Sequence, residues 1–388
     1  MAYHLHDSQL RVVHKYTRLS KNQQALKASR LILLEHILPT TETFVSHLVE
    51  AGAEIYALIG KPYSIDNEVL TRLKSSGINV IVKQYKELDE TNFLDILLDE
   101  AVNASRKDAK QIVIAEVGGY FAATLARMPA DYAQYIAGVV EDTTFGHNRY
   151  LKLVADISVP VFSVARSELK EIEARFVGQD AVQAMEAVLR GHGITITGRH
   201  GLVIGYGMIG KNVAKALRAH SLSVSVYDKH DYRNLRAYID GYVIHKKREL
   251  IKRADIIFSA TADNALSFED IEECRNGVIL ASVGSRDSEF DIATLKEQAL
   301  RKEGLCDHIT AYELPNSKRI HVARNGTAVN FLLPSIPIEV LDLVFSEIFL
   351  CIVLLLNKQP DYSPGELHGV GDAHLSEVSR DWLRNVNI

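Results

Sequence analysis

Three glycines and an aspartate carry the sharpest chemical signal in this 388-residue chain. Gly205, Gly207 and Gly210 stand in the run Gly201-Leu-Val-Ile-Gly-Tyr-Gly-Met-Ile-Gly-Lys, between an apolar strand and an amphipathic helix. A second strand, Leu222 to Tyr227, ends at Asp228, at the spacing of about 20 residues expected of a carboxylate that binds an adenosine ribose. The glycines serve different purposes. Gly205 permits the tight turn, Gly207 lets a pyrophosphate approach the backbone, and Gly210 lets helix and strand pack closely. Phosphates then sit at the positive end of the helix that Met208 and Ile209 begin. The acid at 228 would repel a 2′-phosphate, so the expected cofactor is NAD, not NADP.

Two further apolar segments, Asp255-Ile-Ile-Phe-Ser-Ala-Thr261 and Val278 to Ser285, predict parallel strands. Their ends, with Thr261, Val283, Gly284 and Ser285, are placed to border the cofactor, and Asn330 lies at the far edge of the same domain.

The elements that position these residues follow a repeated rhythm. Strands are expected at Leu31–Glu35, Glu54–Ile59, Val80–Val82 and Ile112–Ala115, separated by helices near Thr41–Ala51 and Asn67–Lys74. Strand and helix in alternation predict an α/β fold with parallel sheets covered on both faces. Ligands bind beyond the carboxyl ends of such strands, where His36 and the Gly118-Gly119 turn fall. A long helix from about Glu168 to Leu189 precedes a second α/β unit that starts at Gly201. The expectation is two Rossmann-like three-layer domains: a substrate or catalytic-like domain of residues 1–167 with 345–388, and an NAD-binding domain of residues 182–335. Residues 168–181 and 336–344 are the expected hinge segments.

Taken in order, the segments resemble S-adenosylhomocysteine hydrolase over nearly the whole chain. The resemblance rests on His36 with Thr41 and Leu48-Val-Glu-Ala-Gly-Ala-Glu, on Gly118-Gly119, on Glu141-Asp-Thr-Thr-Phe-Gly-His-Asn, and on Pro160-Val-Phe-Ser-Val with Lys170. The Gly205–Lys211 loop, Val283-Gly284 with Asp287, and Gly326 to Asn330 complete it. Members of that family hold NAD tightly, oxidise the 3′-hydroxyl of the substrate ribose, eliminate homocysteine, add water and reduce the ketone back. By this resemblance Lys170 matches the lysine that helps deprotonate the 3′-hydroxyl, and Asp142 a glutamate that grips the ribose hydroxyls. His36 matches the histidine of the elimination pair. Thr143 and Thr144 match threonines lining the NAD, and Asn330 an asparagine that reaches the nicotinamide carboxamide.

The departures are as informative. Where the family has two aspartates before its Gly-Gly turn, this chain has Glu116-Val117, and the aspartate after the turn is Tyr120. Ala174 stands where an aspartate is expected four residues after Lys170. The histidine after Val283-Gly284 is Ser285, followed by Arg286, and the threonine and glutamate after His36 are Leu38 and Thr40. The family's lysine- and tyrosine-bearing tail has no counterpart. Glu116, Thr40, Ser285 and Arg286 are therefore the candidates for an altered substrate pocket, with Arg286 suited to an anionic substituent.

A net charge of −5 gives no general attraction to nucleic acid or membrane. The basic cluster His245-Lys-Lys-Arg248 is read as a solvated helix face. Cys274, Cys306 and Cys351 are far apart and fit neither a disulfide framework nor a metal site. With an N-terminus lacking an apolar secretion segment, they point to the cytoplasm. The apolar run Ile348–Leu356 is too short to span a bilayer and predicts a buried helix, in the core or at the interface of a homo-oligomer, dimer or tetramer. Three readings follow: an NAD-dependent enzyme oxidising a secondary alcohol of a nucleoside or sugar-like small molecule, a non-catalytic NAD-binding relative that acts as a binding or sensor protein, and a genuine S-adenosylhomocysteine hydrolase.

Overall fold

The computed structural model describes residues 10–284, 286–333, 336–357 and 362–385. Ser285 and the first nine residues of the N-terminal stretch lie outside the described residues. The chain divides into two compact units, Met1–Lys170 with Pro337–Ile388, and Glu171–Ile336.

Six strands belong to the first stretch of chain: β1 (Ser29–Ile37), β2 (Glu54–Ile65), β3 (Val80–Val82), β4 (Gln111–Glu116), β5 (Ile136–Glu141) and β6 (Val161–Ser163). The second unit supplies β7 (His200–Ile204), β8 (Ser223–Tyr227), β9 (Val243–Ile244), β10 (Ile256–Ser259), β11 (Ile279–Ser282), β12 (Arg301–Cys306), β13 (Ile309–Glu313) and β14 (Arg319–Ala323). A last strand, β15 (Leu367–His368), returns to the first unit.

The first sheet runs β15-β6-β5-β4-β1-β2-β3 with parallel pairing throughout. Its two faces are both covered because alternate residues of β1 serve different layers. Leu31, Leu33 and Ile37 join the helices Arg11–Gln23, Pro39–Glu50 and Ile338–Leu356, while Ile32 and Leu34 join Phe93–Asp108 and Phe121–Arg127. The strand order turns back between β1 and β4, which opens a crevice at their carboxyl ends.

The second sheet runs β12-β13-β14-β11-β10-β7-β8-β9, turning back between β7 and β10. Its central strands are parallel, and β12 and β13 extend it antiparallel beyond β14. The hydrophobic pattern does not predict that extension, because β12 is exposed along most of its length and lacks the alternation that marks a half-buried strand. Both units are thus three-layer α/β folds of Rossmann type.

Two local differences bear on the site. The helix expected from Thr41 starts at Pro39, since proline lacks the amide that a first-turn position leaves unused anyway. β2 runs on to Ile65 through Gly60-Lys61-Pro62, residues that read as strand breakers in the sequence. A register shift between Glu35 and Ile37 accommodates the extension, and Gly60 fits because a Cβ there would lie 2.5 Å from Ile37 Cγ1. The apolar helix Ile338–Leu356 packs into the first unit's core, and no helix among the described residues is long and apolar enough to cross a membrane.

Candidate active site

In the second unit, β7 feeds the loop Gly205-Tyr-Gly207, and the helix Met208–Ala219 leaves it. Gly205 has φ of 91°, a left-handed conformation that disfavours side chains, and a Cβ there would meet Ala260 O of the next strand's loop at 2.6 Å. At Gly210 a Cβ would fall 1.7 Å from Gly205 O, so helix and turn are in direct contact. Gly207 is different: its nearest neighbour is Arg233 Nη1 at 4.0 Å, leaving the backbone approachable. No side chain caps the helix, so the amides of its first turn, from Met208 through Gly210, are available to an anion. This loop fits a dinucleotide pyrophosphate.

Asp228 is 4% exposed, and its carboxylate accepts from Tyr206 N–H at 2.7 Å and His230 N–H at 2.9 Å. It therefore braces the glycine loop from the end of β8. Lys211 is ion-paired with Glu171.

The loops after β10 and β11 share one buried acid, Glu289. It accepts from Thr261 N–H at 3.0 Å, Thr261 Oγ–H at 2.6 Å and Ala262 N–H at 2.8 Å. Gly284 lies against the same carboxylate, with a Cβ position 2.2 Å from Glu289 Oε1. Burial raises the Glu289 pKa, opposed by those hydrogen bonds. Val283 is buried, and Arg286 and Asn330 are half-buried. Asn330 lies in the turn Val329–Leu332.

In the first unit, Glu116 and Glu141 end adjacent strands and are both buried. Glu116 accepts from Tyr120 N–H at 2.7 Å, from Phe121 N–H at 3.1 Å and from the Tyr150 hydroxyl. Glu141 accepts from Gly118 N–H at 3.1 Å, Gly119 N–H at 2.7 Å, and the Thr143 amide and hydroxyl at 2.6 Å each. The two acids thus hold the Gly118-Gly119 turn and the helix starts on either side. Burial and the neighbouring Glu116 push Glu141 up to about 8, and burial raises Glu116 too. Thr143 caps the helix Thr144–Leu153 by accepting from Gly146 N–H at 3.0 Å, and Thr144 is exposed at its first position.

His36 is half-buried at the end of β1, with Nδ1 2.6 Å from Ser64 Oγ and its ring edge-on to Tyr63. The extended β2 supplies both partners. Thr40 is buried in the first turn of the following helix. Val117 is buried and apolar, and its carbonyl accepts from the buried Lys61 Nζ at 3.0 Å.

Lys170 and Asp142 form an ion pair, with Lys170 Nζ donating to Asp142 Oδ2 at 2.8 Å. The other oxygen, Asp142 Oδ1, is buried with no hydrogen-bond partner. Two acids missed in the sequence feel this pair. Glu35 is 5% exposed, and burial, then the negative Asp142, push it up to about 8 against the opposing charges of Lys61 and Lys170. Glu347, on the apolar helix, accepts from Ser167 Oγ–H at 2.6 Å. The signal for both was an acid interrupting an apolar run, Leu31-Ile-Leu-Leu-Glu35 and Val344-Phe-Ser-Glu347-Ile-Phe. A buried acid without compensation is costly, so its presence there is a mark of function or of a polar network.

Elsewhere in this unit His14, His47 and Glu50 place ligand-type atoms within 4.8 Å of one another, the one such group among the described residues. Lys21 already pairs with Glu50 at 3.4 Å, and no metal role is read from the group.

Comparison with known proteins bears on both units. Residues 180–334 match the family model of the S-adenosyl-L-homocysteine hydrolase NAD-binding domain. Over 347 residues the chain is 28% identical to an adenosylhomocysteinase of Sulfurisphaera tokodaii, covering 88% of this chain and 80% of that protein. It is 26% identical over 333 residues to an adenosylhomocysteinase of Thermotoga maritima, covering 85% and 80%. It is also 27% identical over 347 residues to an S-inosyl-L-homocysteine hydrolase of Methanopyrus kandleri, covering 85% and 77%. These matches extend well beyond the NAD-binding domain.

Proposed function

The chain belongs to the S-adenosyl-L-homocysteine hydrolase family and carries its NAD-binding domain, and on that premise we propose that it is an NAD-dependent enzyme oxidising a secondary alcohol, of the 3′-hydroxyl type, in a nucleoside or sugar-like substrate. The observation that carries this reading is the Lys170–Asp142 pair. One carboxylate oxygen is held by Lys170 at 2.8 Å, and the other is buried without a partner, an arrangement that suits a ligand hydroxyl.

Gly205, Gly207, Gly210 and Asp228 would hold NAD, which would supply the hydride acceptor. Asp142 Oδ1 accepts a hydrogen bond from the substrate hydroxyl and fixes its position. Lys170 takes the hydroxyl proton once the amine has given up the proton of its ion pair with Asp142. His36, oriented by Ser64, is the proposed acid or base for any later elimination or hydration. Val117 supports oxidation rather than complete hydrolysis, because the acid that the family places there is replaced by a group that cannot transfer a proton. The cofactor roles of Met208, Ile209, Thr143, Thr144, Thr261, Val283, Gly284 and Asn330 belong to the same proposal, as do substrate roles for Glu116, Thr40, Ser285 and Arg286. So do a homo-oligomeric state and a cytoplasmic location.

The test mixes NAD-loaded protein separately with adenosine, inosine, S-adenosylhomocysteine and S-inosylhomocysteine, following reduced nicotinamide and free thiol. Reduction without thiol release is the expected result. Reduction with thiol release would identify a complete hydrolase. No reduction with any of the four, together with freely exchanging NAD, would favour a non-catalytic binding protein.

A further inference from the structure

Glu347 lies in the middle of the helix Ile338–Leu356, among buried apolar residues, and is 1% exposed. Its Oε2 accepts from Ser167 Oγ–H at 2.6 Å, but its Oε1 is buried with no hydrogen-bond partner. Ser167 also accepts from the Lys170 backbone amide at 3.1 Å, at the start of the helix Glu168–Gly191. One serine therefore fixes both Glu347 and the helical turn that carries Lys170. Ser167 thus ties Glu347 to the Lys170 backbone, the Lys170 side chain separately holds Asp142, and each of the two acids keeps a buried carboxyl oxygen without a partner.

Buried polar atoms are nearly always satisfied, and an exception calls for an explanation. Packing does not supply one here. An apolar residue in this helix would avoid the cost of burying an acid, and a glutamate needed only to hold Ser167 would not require its second oxygen to be left bare. Two bare oxygens, on acids near enough for the charge of Asp142 to act on Glu347, fit a ligand with more than one hydroxyl.

We propose that Glu347 is a second substrate-binding carboxyl of this site, whose Oε1 bonds a second hydroxyl of the polyhydroxylated ligand and exchanges a proton with it. This rests on the oxidation reading above and adds to it a residue and a substrate requirement: the alcohol oxidised must have a neighbouring hydroxyl, as in an intact ribose. Burial is the largest influence on the acid and pushes it up to about 7, with Ser167 opposing, Asp142 adding and Lys170 opposing. Cys351, one turn along the same helix, is the further titratable group that senses its charge. A group titrating near neutrality is matched to proton exchange at physiological pH.

The test compares wild type with Glu347→Gln, which keeps shape and the Ser167 contact but removes the ionising proton, and with Glu347→Asp, which keeps the acid. NAD-loaded full-length protein is mixed with adenosine and with 2′-deoxyadenosine across neutral pH. The expected result is a loss of about 10²-fold or more in nicotinamide reduction for Glu347→Gln, with NAD binding intact and the pH limb near neutrality gone. Partial recovery is expected in Glu347→Asp, and poor reduction with 2′-deoxyadenosine in wild type. Equal rates and an unchanged pH profile in Glu347→Gln would overturn the assignment while leaving the oxidation reading in place. If wild type reduces no cofactor, that reading fails for adenosine, and calorimetric binding decides Glu347. Adenosine binding weakened about tenfold or more in Glu347→Gln would uphold its binding role, and equal binding, or none in wild type, would end it. Should Glu347→Gln fail to fold, Glu347→Asp is compared with wild type in the same assays, and an unchanged rate with both nucleosides would overturn the proposal.

Discussion

The carboxylate of Glu141 occupies the space that a side chain at residue 146 would need: a Cβ on Gly146 would lie 2.1 Å from Glu141 Cδ. This contact locks the strand end that carries Asp142 against the start of the helix Thr144–Leu153, and the same acid holds the Gly118 and Gly119 amides. Gly146→Ala is therefore expected to destabilise the first unit by about 2–3 kcal/mol, the scale of overpacking in a close-packed interior. Urea unfolding of the variant against wild type reads this directly, and an unchanged midpoint would show that the turn relaxes freely.

The glycine loop of the second unit predicts a binding effect. Gly210→Ala places a methyl group 1.7 Å from Gly205 O, a backbone atom that cannot swing aside as a side chain would. A strain of about 1–3 kcal/mol translates into roughly 10- to 100-fold weaker NAD binding. Fluorescence titration with NAD measures it. Wild-type affinity in the variant would mean that the loop does not set the cofactor's position.

Lys170→Ala separates binding from chemistry. NAD should remain bound, because the substitution leaves the glycine loop and Asp228 that brace the proposed pyrophosphate site unchanged. Reduction of the nicotinamide by an alcohol substrate should fall by about 10²–10⁴-fold, the usual contribution of a positioned proton acceptor. Full activity in this variant would remove Lys170 from the mechanism.

The buried acids set the pH dependence of stability. Glu35 and Glu141 lie near 8 and Glu347 near 7 in the folded protein, all above the ordinary glutamate value of 4.5. The folded state therefore holds protons that the unfolded chain releases above about 4.5. The stability these groups contribute is present below that value and is lost as pH rises through 7 to 8. Glu35→Gln removes one such group, so its melting temperature relative to wild type should rise between about pH 6 and about pH 9. A constant difference across that window would mean that Glu35 does not titrate there.

The local patterns carried much of the architecture. Alternating strands and amphipathic helices marked both α/β units, and Gly205, Gly207, Gly210 and Asp228 marked the dinucleotide loop from spacing alone. These features are legible because they depend on neighbours in sequence: hydrophobic period, turn chemistry, and a glycine wherever backbone must approach backbone. The pairing of β12 with β13 and the run of β2 past Gly60 were not legible, since exposed residues and a Gly-Lys-Pro run have no strand signature of their own.

The candidate site divides the same way. The family resemblance, read from the order of segments, pointed to Lys170, Asp142 and His36 and placed Val117 where an acid is expected. Only the tertiary structure decided that Glu116, Glu141 and Glu289 spend their carboxylates on backbone amides and neighbouring hydroxyls. It alone set Glu347, 180 residues from Ser167 along the chain, within 2.6 Å of that serine's hydroxyl. The physical reason is that an acid's role depends on its desolvation and on its partners. Both are fixed by which strand ends and helices converge, and nothing within a few residues of Glu35 or Glu347 specifies that convergence.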